Sequence, residues 1–170
     1  QTWAQPAYRV AQLLEWLYVQ RVTDWNAMTN LPKALREQLR QAYLIRGLEL
    51  IRKQGAPNAT QKFLWRLDDG ALIESVLIPA NPALYGESSD RRTLCVSTQV
   101  GCAYGCKFCA SGLAGWKRNL RPDEIVGQVF ATERWLAANP PGAARRAGRY
   151  IDNLVIMGMG EPLANYDALL

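Results

Sequence analysis

The sequence predicts an α/β fold in which a small helical unit and a β-hairpin precede a parallel sheet. Three observations support this prediction. Apolar residues near the amino terminus recur at helical spacing, and an Asp-Gly pair separates two strand-like runs. Farther along, two strand-like runs flank one amphipathic helix. A strand–helix–strand order is typical of parallel sheets with crossover connections.

The helical unit is expected to cover residues 1–54. Its apolar stripe consists of Val10, Leu13, Leu14 and Leu17, spaced at i, i+3, i+4 and i+7, which is the pattern of one helix face. Gln54-Gly-Ala-Pro-Asn-Ala59 is rich in residues that break helices and strands. We therefore expect a helical domain at 1–54, a linker and hairpin at 55–90, and the start of a larger domain at 91–170.

The hairpin is predicted from Asp68-Asp-Gly-Ala71, which joins a strand-like run at 62–67 to another at 72–78. Alternation along the second run places Ile73, Ser75 and Leu77 on one face. Glu74 then shares the other face with apolar side chains. Either its carboxylate lies at a solvated margin of the sheet, or it lies in a partly dry site. The residues alone favour the margin.

The second half of the chain predicts a strand at 93–100, a helix opening at Arg121-Pro-Asp-Glu124, and a strand at 153–157 covered on both faces. The first strand leads into a cysteine-rich loop, and the second leads into Gly158-Met-Gly160-Glu161. Functional sites in parallel sheets lie at the carboxyl ends of the strands. Both loops should therefore meet at one edge, where the glycines would let a ligand approach the backbone.

All four cysteines of the 170-residue chain lie between Cys95 and Cys109, and the chain has no histidine. Cys102, Cys106 and Cys109 have the spacing C-x3-C-x2-C. Three thiolates at this spacing can hold an iron–sulfur cluster and leave one iron of a cubane open. A four-cysteine zinc site is the alternative, although such sites usually use two separated pairs. Disulfides are disfavoured because cysteines three or four residues apart bridge poorly.

The net charge of +5 is concentrated around the cysteines. The stretch from Arg91 to Arg121 contains six basic residues and no acidic one, whereas the rest of the chain has 14 basic and 15 acidic residues. This charge either balances anionic thiolates or attracts a polyanion such as nucleic acid. There is no apolar run long enough for a membrane span and no signal-peptide pattern. We expect a monomer in the reducing cytoplasm that does not bind a membrane.

Three longer motifs carry a family resemblance. They are Cys95-Val-Ser-Thr-Gln-Val-Gly-Cys102, the run from Cys109 to Leu120, and Met157-Gly-Met-Gly-Glu-Pro-Leu163. Together they resemble the RlmN-type RNA adenine carbon-2 methyltransferases, a branch of the radical S-adenosylmethionine superfamily. The N-terminal helices resemble that family's RNA-binding accessory domain. The resemblance implies that the sheet is the N-terminal part of a radical SAM partial βα barrel.

The resemblance also implies the cofactor sites. Cys102, Cys106 and Cys109 match the ligands of the family's [4Fe–4S] cluster, whose open iron binds S-adenosyl-L-methionine. Gly160 and Glu161 match residues that contact S-adenosyl-L-methionine. An electron donor such as flavodoxin or ferredoxin is implied as a partner.

By the same resemblance, 23S rRNA and tRNA are the substrates, methylated through a methyl-cysteine intermediate and a 5′-deoxyadenosyl radical. Glu74 matches the family's proton acceptor, a role that suits a carboxylate facing apolar neighbours. Cys95 matches a cysteine that resolves the enzyme–RNA adduct through a transient disulfide. The methyl-carrying cysteine lies outside these 170 residues, so we expect this chain alone to be inactive.

Two rival functions remain. One is methylation of carbon 8 of adenosine by the related resistance enzymes, which share the cluster and resolving-cysteine patterns. The other is a non-catalytic, zinc-stapled RNA-binding module. The N-terminal helices and the Gly-Leu-Ala-Gly-Trp-Lys-Arg-Asn-Leu run (112–120) favour carbon 2.

Overall fold

The computed structural model describes residues 3, 5–81, 91–140 and 148–170. The chain divides into two compact units, Gln1–Gly47 and Leu48–Leu170. Most of the loop expected before Arg91, and the centre of the Ala/Arg-rich segment after Asn139, lie outside the described residues. In the described part of the chain, no helix is both long enough and apolar enough to cross a membrane.

The first unit is helical, as its apolar stripe predicts. Helix α1 spans Tyr8–Leu14 and continues into a π-helical turn at Glu15–Val19, and helix α2 spans Lys33–Ala42. A 3₁₀ turn at Trp25–Ala27 lies between them. The apolar side chains buried in the described part of this unit are those of Trp25, Met28, Leu31, Leu35 and Leu39. Burial of their apolar surface is the main stabilising contribution to so small a unit.

The prediction that helix extends to residue 54 is wrong. Glu49–Gln54 forms strand β1, which pairs antiparallel with strand β2, Gln61–Arg66. The segment between them is the turn of a hairpin and not a linker between domains. Leu48 and Leu50 pack against the core of the second unit, so tertiary packing overrides the local helical preference.

The second unit contains a five-stranded sheet of order β1-β2-β3-β4-β7. Strand β3 spans Leu72–Pro79, β4 spans Arg92–Cys95 and β7 spans Asn153–Val155. Strands β1 to β4 are antiparallel, and β7 pairs parallel with β4. Strands β5, Gln99–Val100, and β6, Arg118–Asn119, form a separate pair. The predicted hairpin, parallel pair and α/β class are confirmed.

Helix α3, Pro122–Ala138, connects β6 to β7. Its start is confirmed: the Glu124 side chain accepts a hydrogen bond from the Arg121 N–H at 2.9 Å, so the first turn caps itself. Within this helix Ile125 and Ala131 are buried, whereas Val126 is exposed. Gln128 is fully buried instead, and its amide is hydrogen-bonded to residues of the sheet.

Strand β7 is not covered on both faces as predicted. Leu154 is 54% exposed, and within the described residues β7 is the outermost strand of the sheet. A continuous apolar run predicts burial only if neighbouring elements cover both faces. Among the described residues of β7, Asn153 and Leu154 are exposed and Val155 is half-buried.

Candidate active site

The cysteine loop is closed at its base. Beyond β4 the chain passes through Val96–Thr98 into β5, and Gly101 then turns with φ 76°. A Cβ atom at Gly101 would lie 1.9 Å from the Gly115 carbonyl oxygen, so only glycine permits this crossing. The Lys117 N–H donates to the Val100 carbonyl at 2.9 Å. The loop therefore begins and ends at the β5–β6 pair.

The three predicted ligands stand on this loop. Cys106 is exposed, Cys102 and Cys109 are partly exposed, and all three are free thiols. Among the described residues, no three cysteine or carboxylate side chains are gathered closely enough to hold a metal ion. The donor set nevertheless fits an iron–sulfur cluster, because three unpaired thiols share one surface loop and the Tyr104 N–H donates to the Cys102 sulfur at 3.4 Å. Binding of a cluster would have to bring the three thiols closer together.

Cys109 has surroundings that favour its thiolate. Hydrogen bonds from the Ser111 hydroxyl and backbone hold the pKa of the Cys109 thiol below its ordinary value. A thiolate, rather than a thiol, is the form that binds iron.

Cys95 differs from the other three cysteines. It is buried at the end of β4. Burial raises the pKa of the Cys95 thiol, and a backbone hydrogen bond at Met157 opposes this in part. The structure therefore separates one buried thiol from three more accessible ones.

Glu74 and Cys95 lie on the same face of the sheet. In the β3–β4 register Val76 is opposite Cys95, and residues two apart along a strand share a face. The Glu74 carboxylate forms an ion pair with the Lys62 ammonium at 2.9 Å and is 36% exposed. Among the described residues the Glu74 carboxylate is therefore partly solvated, although β3 is the central strand of the five-stranded sheet. Strand β2 brings the Lys62 ammonium beside it, so its neighbours are not all apolar. The role of Glu74 as a proton acceptor stays a prediction.

The glycine turn packs against the segment that follows β4. The Met159 carbonyl accepts hydrogen bonds from the N–H groups of Thr98 at 2.9 Å and Gln99 at 3.2 Å. A Cβ atom at Gly158 would lie 2.7 Å from the Val96 carbonyl. The two predicted loops therefore meet at one edge, as expected. Gly158 therefore makes room for the backbone of Val96 and Ser97.

Sequence reasoning missed a set of buried polar side chains behind this edge. They are Ser75, Ser97, Gln99, Gln128 and Asn165. The signal was available in Ser97-Thr-Gln99, three polar residues within an otherwise apolar strand-like run. Buried polar groups need partners, so such a run indicates a hydrogen-bond network.

Part of the basic charge near the cysteines has a structural use. Arg118 donates to Asp69 at 2.8 Å and to both oxygens of Glu124 at 2.8 and 2.9 Å. Arg121 pairs with Asp123 at 3.0 Å. Part of the excess positive charge of residues 91–121 is therefore paired with acidic side chains of the same chain and is not available to a binding partner.

The chain resembles known proteins in both sequence and structure. Residues 2–45 match the family described as "Ribosomal RNA large subunit methyltransferase N-terminal domain". A probable dual-specificity RNA methyltransferase RlmN of Akkermansia muciniphila is 48% identical over 162 residues, covering 95% of this chain and 42% of that protein. The dual-specificity RNA methyltransferase RlmN of Desulfosudis oleivorans is 44% identical, covering 96% and 39%.

The crystal structure of a radical SAM methyltransferase from Sphaerobacter thermophilus superposes with a TM-score of 0.77 at 44% identity. The match covers 96% of this chain and 44% of that one. The chain thus spans about two fifths of the length of the relatives it matches.

Proposed function

We propose that this chain forms part of an RNA methyltransferase acting on adenosine carbon 2. The chain belongs to the RlmN family, and it matches 42% of the length of an RlmN relative. In that role it supplies the cluster loop, part of the S-adenosylmethionine site and two catalytic side chains. Its relatives carry the name "dual-specificity RNA methyltransferase", and 23S rRNA and tRNA are the substrates we propose.

The observation that carries this proposal is the approach of the glycine turn to the start of the cysteine loop. The Met159 carbonyl accepts hydrogen bonds from the N–H groups of Thr98 and Gln99, and the Gln99 side chain accepts one from the Ala103 N–H of the loop. Glu74 and Cys95 lie on one face of the adjacent strands that lead to this edge. A cofactor site and an acid–base pair in one place are what a transferase of this kind needs.

Cys102, Cys106 and Cys109 would hold a [4Fe–4S] cluster, and Gly160 and Glu161 would contact S-adenosylmethionine. When bound, the cluster supplies the electron that cleaves S-adenosylmethionine reductively. The chain's own contribution is placement. The closed base of the loop brings its thiols to the same edge as the glycine turn.

Glu74 would accept the proton from carbon 2 of the adenine ring, exchanging its ion pair with Lys62 for that proton. Cys95 would then lose its proton and attack the sulfur of a methyl-carrying cysteine outside this chain. A sulfur–sulfur bond forms and the sulfur–carbon bond breaks. The electron pair stays on the methylene carbon, which in the adduct is already bonded to adenine carbon 2. That carbon takes up a proton and becomes the methyl group of the released RNA.

We extend the proposal to partners. An electron donor such as flavodoxin or ferredoxin would dock near the cysteine loop, and the protein would act as a cytoplasmic monomer. The basic side chains of Lys107 and Lys117, on and beside the loop, support an approach of RNA or of an acidic donor.

Anaerobic reconstitution of the full-length protein with iron and sulfide, followed by RNA mass spectrometry, tests the proposal. We expect brown protein absorbing near roughly 400 nm and 2-methyladenosine in the product. A Cys106→Ala variant should lose iron. A Cys95→Ala variant should keep iron and become trapped covalently on RNA. Colourless zinc-bound protein, or methylation at carbon 8, would contradict it.

A further inference from the structure

We propose that Gln99 is a positioning residue that sets the separation between the cysteine loop and the glycine turn, so that S-adenosylmethionine can reach both. The inference rests on the proposed function, because it takes the first segment to hold the cluster and the second to contact that cofactor. The position of Gln99 in the chain, three residues before Cys102, gives no indication of this role.

The Gln99 side chain joins the two segments directly. Its amide oxygen accepts a hydrogen bond from the Ala103 N–H at 3.1 Å and another from the Glu161 N–H at 3.0 Å. The first donor follows Cys102 and the second belongs to the glycine turn. One oxygen therefore fixes two backbone positions that are 58 residues apart in sequence.

The amide of Gln99 has only one workable orientation. Since two N–H groups point at its oxygen, its nitrogen must donate, and it does so to the Asn119 side-chain oxygen at 2.8 Å. That orients Asn119, whose amide nitrogen donates to the Ala164 carbonyl at 3.0 Å. Every donor in this series of hydrogen bonds faces an acceptor. Reversing the Gln99 amide would place its oxygen against the Asn119 side-chain oxygen, so that two acceptors would face each other.

Packing around Gln99 leaves little freedom. The residue is 1% exposed. Gly160 has φ 100°, and a Cβ atom there would lie 2.6 Å from the Gln99 Cβ. The turn can approach the Gln99 side chain this closely only because residue 160 is glycine.

Gln61 provides a contrast within the same unit. It is 2% exposed, but its amide nitrogen donates to the Pro57 carbonyl four residues away. It therefore holds one hairpin turn and connects no distant segments. Gln61→Leu is the matched control for the loss of a buried glutamine amide.

The test compares Gln99→Leu, Gln99→Glu and Gln61→Leu in the full-length protein. Hydrogen–deuterium exchange before cluster loading reports on the Ala103 and Glu161 amides, and equilibrium dialysis after loading reports on S-adenosylmethionine binding. We expect Gln99→Leu to speed exchange in both segments about tenfold and to raise the Kd for S-adenosylmethionine about tenfold or more. Iron content should be unchanged. Gln61→Leu should change neither the exchange rates of the two segments nor the Kd for S-adenosylmethionine.

Gln99→Glu keeps oxygen acceptors for both N–H groups but places an acceptor opposite the Asn119 side-chain oxygen. It should therefore recover part of the protection that Gln99→Leu loses, and it serves as the second variant if Gln99→Leu does not fold. Unchanged exchange at both segments in Gln99→Leu would overturn the positioning inference whatever the cofactor does. Faster exchange with an unchanged Kd would reduce Gln99 to a structural residue and also overturn it. A wild-type protein that binds no cluster would instead refute the proposed function. The hydrogen–deuterium exchange of the Ala103 and Glu161 amides, measured before cluster loading, would still test whether Gln99 holds the two segments.

Discussion

Ser97 and Glu74 are joined by a 2.6 Å hydrogen bond in which the buried Ser97 hydroxyl donates to the Glu74 backbone carbonyl. The same hydroxyl accepts a hydrogen bond from the Met159 N–H at 2.8 Å. One small side chain therefore connects the strand that carries the proposed proton acceptor to the glycine turn. The placement of the Glu74 carboxylate depends on this connection as well as on the sheet.

Replacing Ser97 with alanine should destabilise the second unit by about 1–2 kcal/mol, because it leaves a partly buried N–H and a partly buried carbonyl without this partner. Chemical denaturation measures this as a change in the free energy of unfolding. Thr60→Ala removes an exposed hydroxyl of the same unit and should change it by less than about 0.5 kcal/mol. Equal effects of the two variants would show that the Ser97 bridge contributes nothing.

A second prediction separates backbone strain from steric collision at Gly160. Gly160→Ala and Gly70→Ala both place an alanine at positive φ, which costs roughly 1–2 kcal/mol. Only the Cβ atom at Gly160 meets another side chain, that of Gln99, while the one at Gly70 meets nothing within 4 Å. Thermal unfolding should therefore show a clearly larger loss of stability for Gly160→Ala. The reverse order would contradict the close packing of the glycine turn.

Arg118 should matter more than its partial exposure suggests. It pairs with Glu124, which is 5% exposed, as well as with Asp69. Arg118→Ala should cost about 2–3 kcal/mol of unfolding free energy, somewhat less than the loss of an isolated buried pair, since Arg121 still reaches Glu124.

Arg66→Ala is the control for Arg118→Ala, because it breaks an exposed 3.0 Å pair with Glu49. Its expected cost is at most about 1 kcal/mol. A larger loss of unfolding free energy in Arg66→Ala than in Arg118→Ala would show that burial of Glu124 does not strengthen its ion pair with Arg118.

The pH dependence of Cys95 follows from its burial. Because burial raises the pKa of this thiol, the folded state binds its proton more tightly than the unfolded chain does. The associated stabilisation is complete below the ordinary thiol pKa and is lost as pH rises through the raised value. Alkylation of Cys95 should accordingly reach half its maximal rate at a higher pH in the folded protein than in urea.

Mass spectrometry follows alkylation at each cysteine separately. Poor access of the reagent would slow alkylation of Cys95 at every pH without changing the pH at which the rate is half-maximal. Poor access can therefore be distinguished from a raised pKa. Coincident midpoints in folded and unfolded protein would contradict the raised pKa.

The order β2, β3, β4, α3 and β7 in the second unit could be predicted because each of these elements carries a local signal. Asp68-Asp-Gly-Ala71 specified a hairpin turn, and Arg121-Pro-Asp-Glu124 specified a helix start. The meeting of the two loops at one edge also followed, since it needs only a parallel pair of strands. These features depend on residues close together in sequence.

The rest depended on contacts between distant residues. The strand at Glu49–Gln54 forms because β2 is available to pair with it, which no local pattern reveals. The ion pair between Glu74 and Lys62 needs the β2–β3 register. Gln99 and Ser97 acquire their partners from a turn some 60 residues away. Polar residues inside an apolar run could have indicated the network, but not its partners.

The outer edge of β7 has a consequence for handling the protein. Its backbone donors and acceptors on that side have no partner strand among the described residues, and the neighbouring Met157 side chain is exposed. Such an edge is a template on which another copy's strand can add. Residues 1–170 produced alone should therefore self-associate as concentration rises, through strand addition rather than through the cysteines, so reductant should not prevent it.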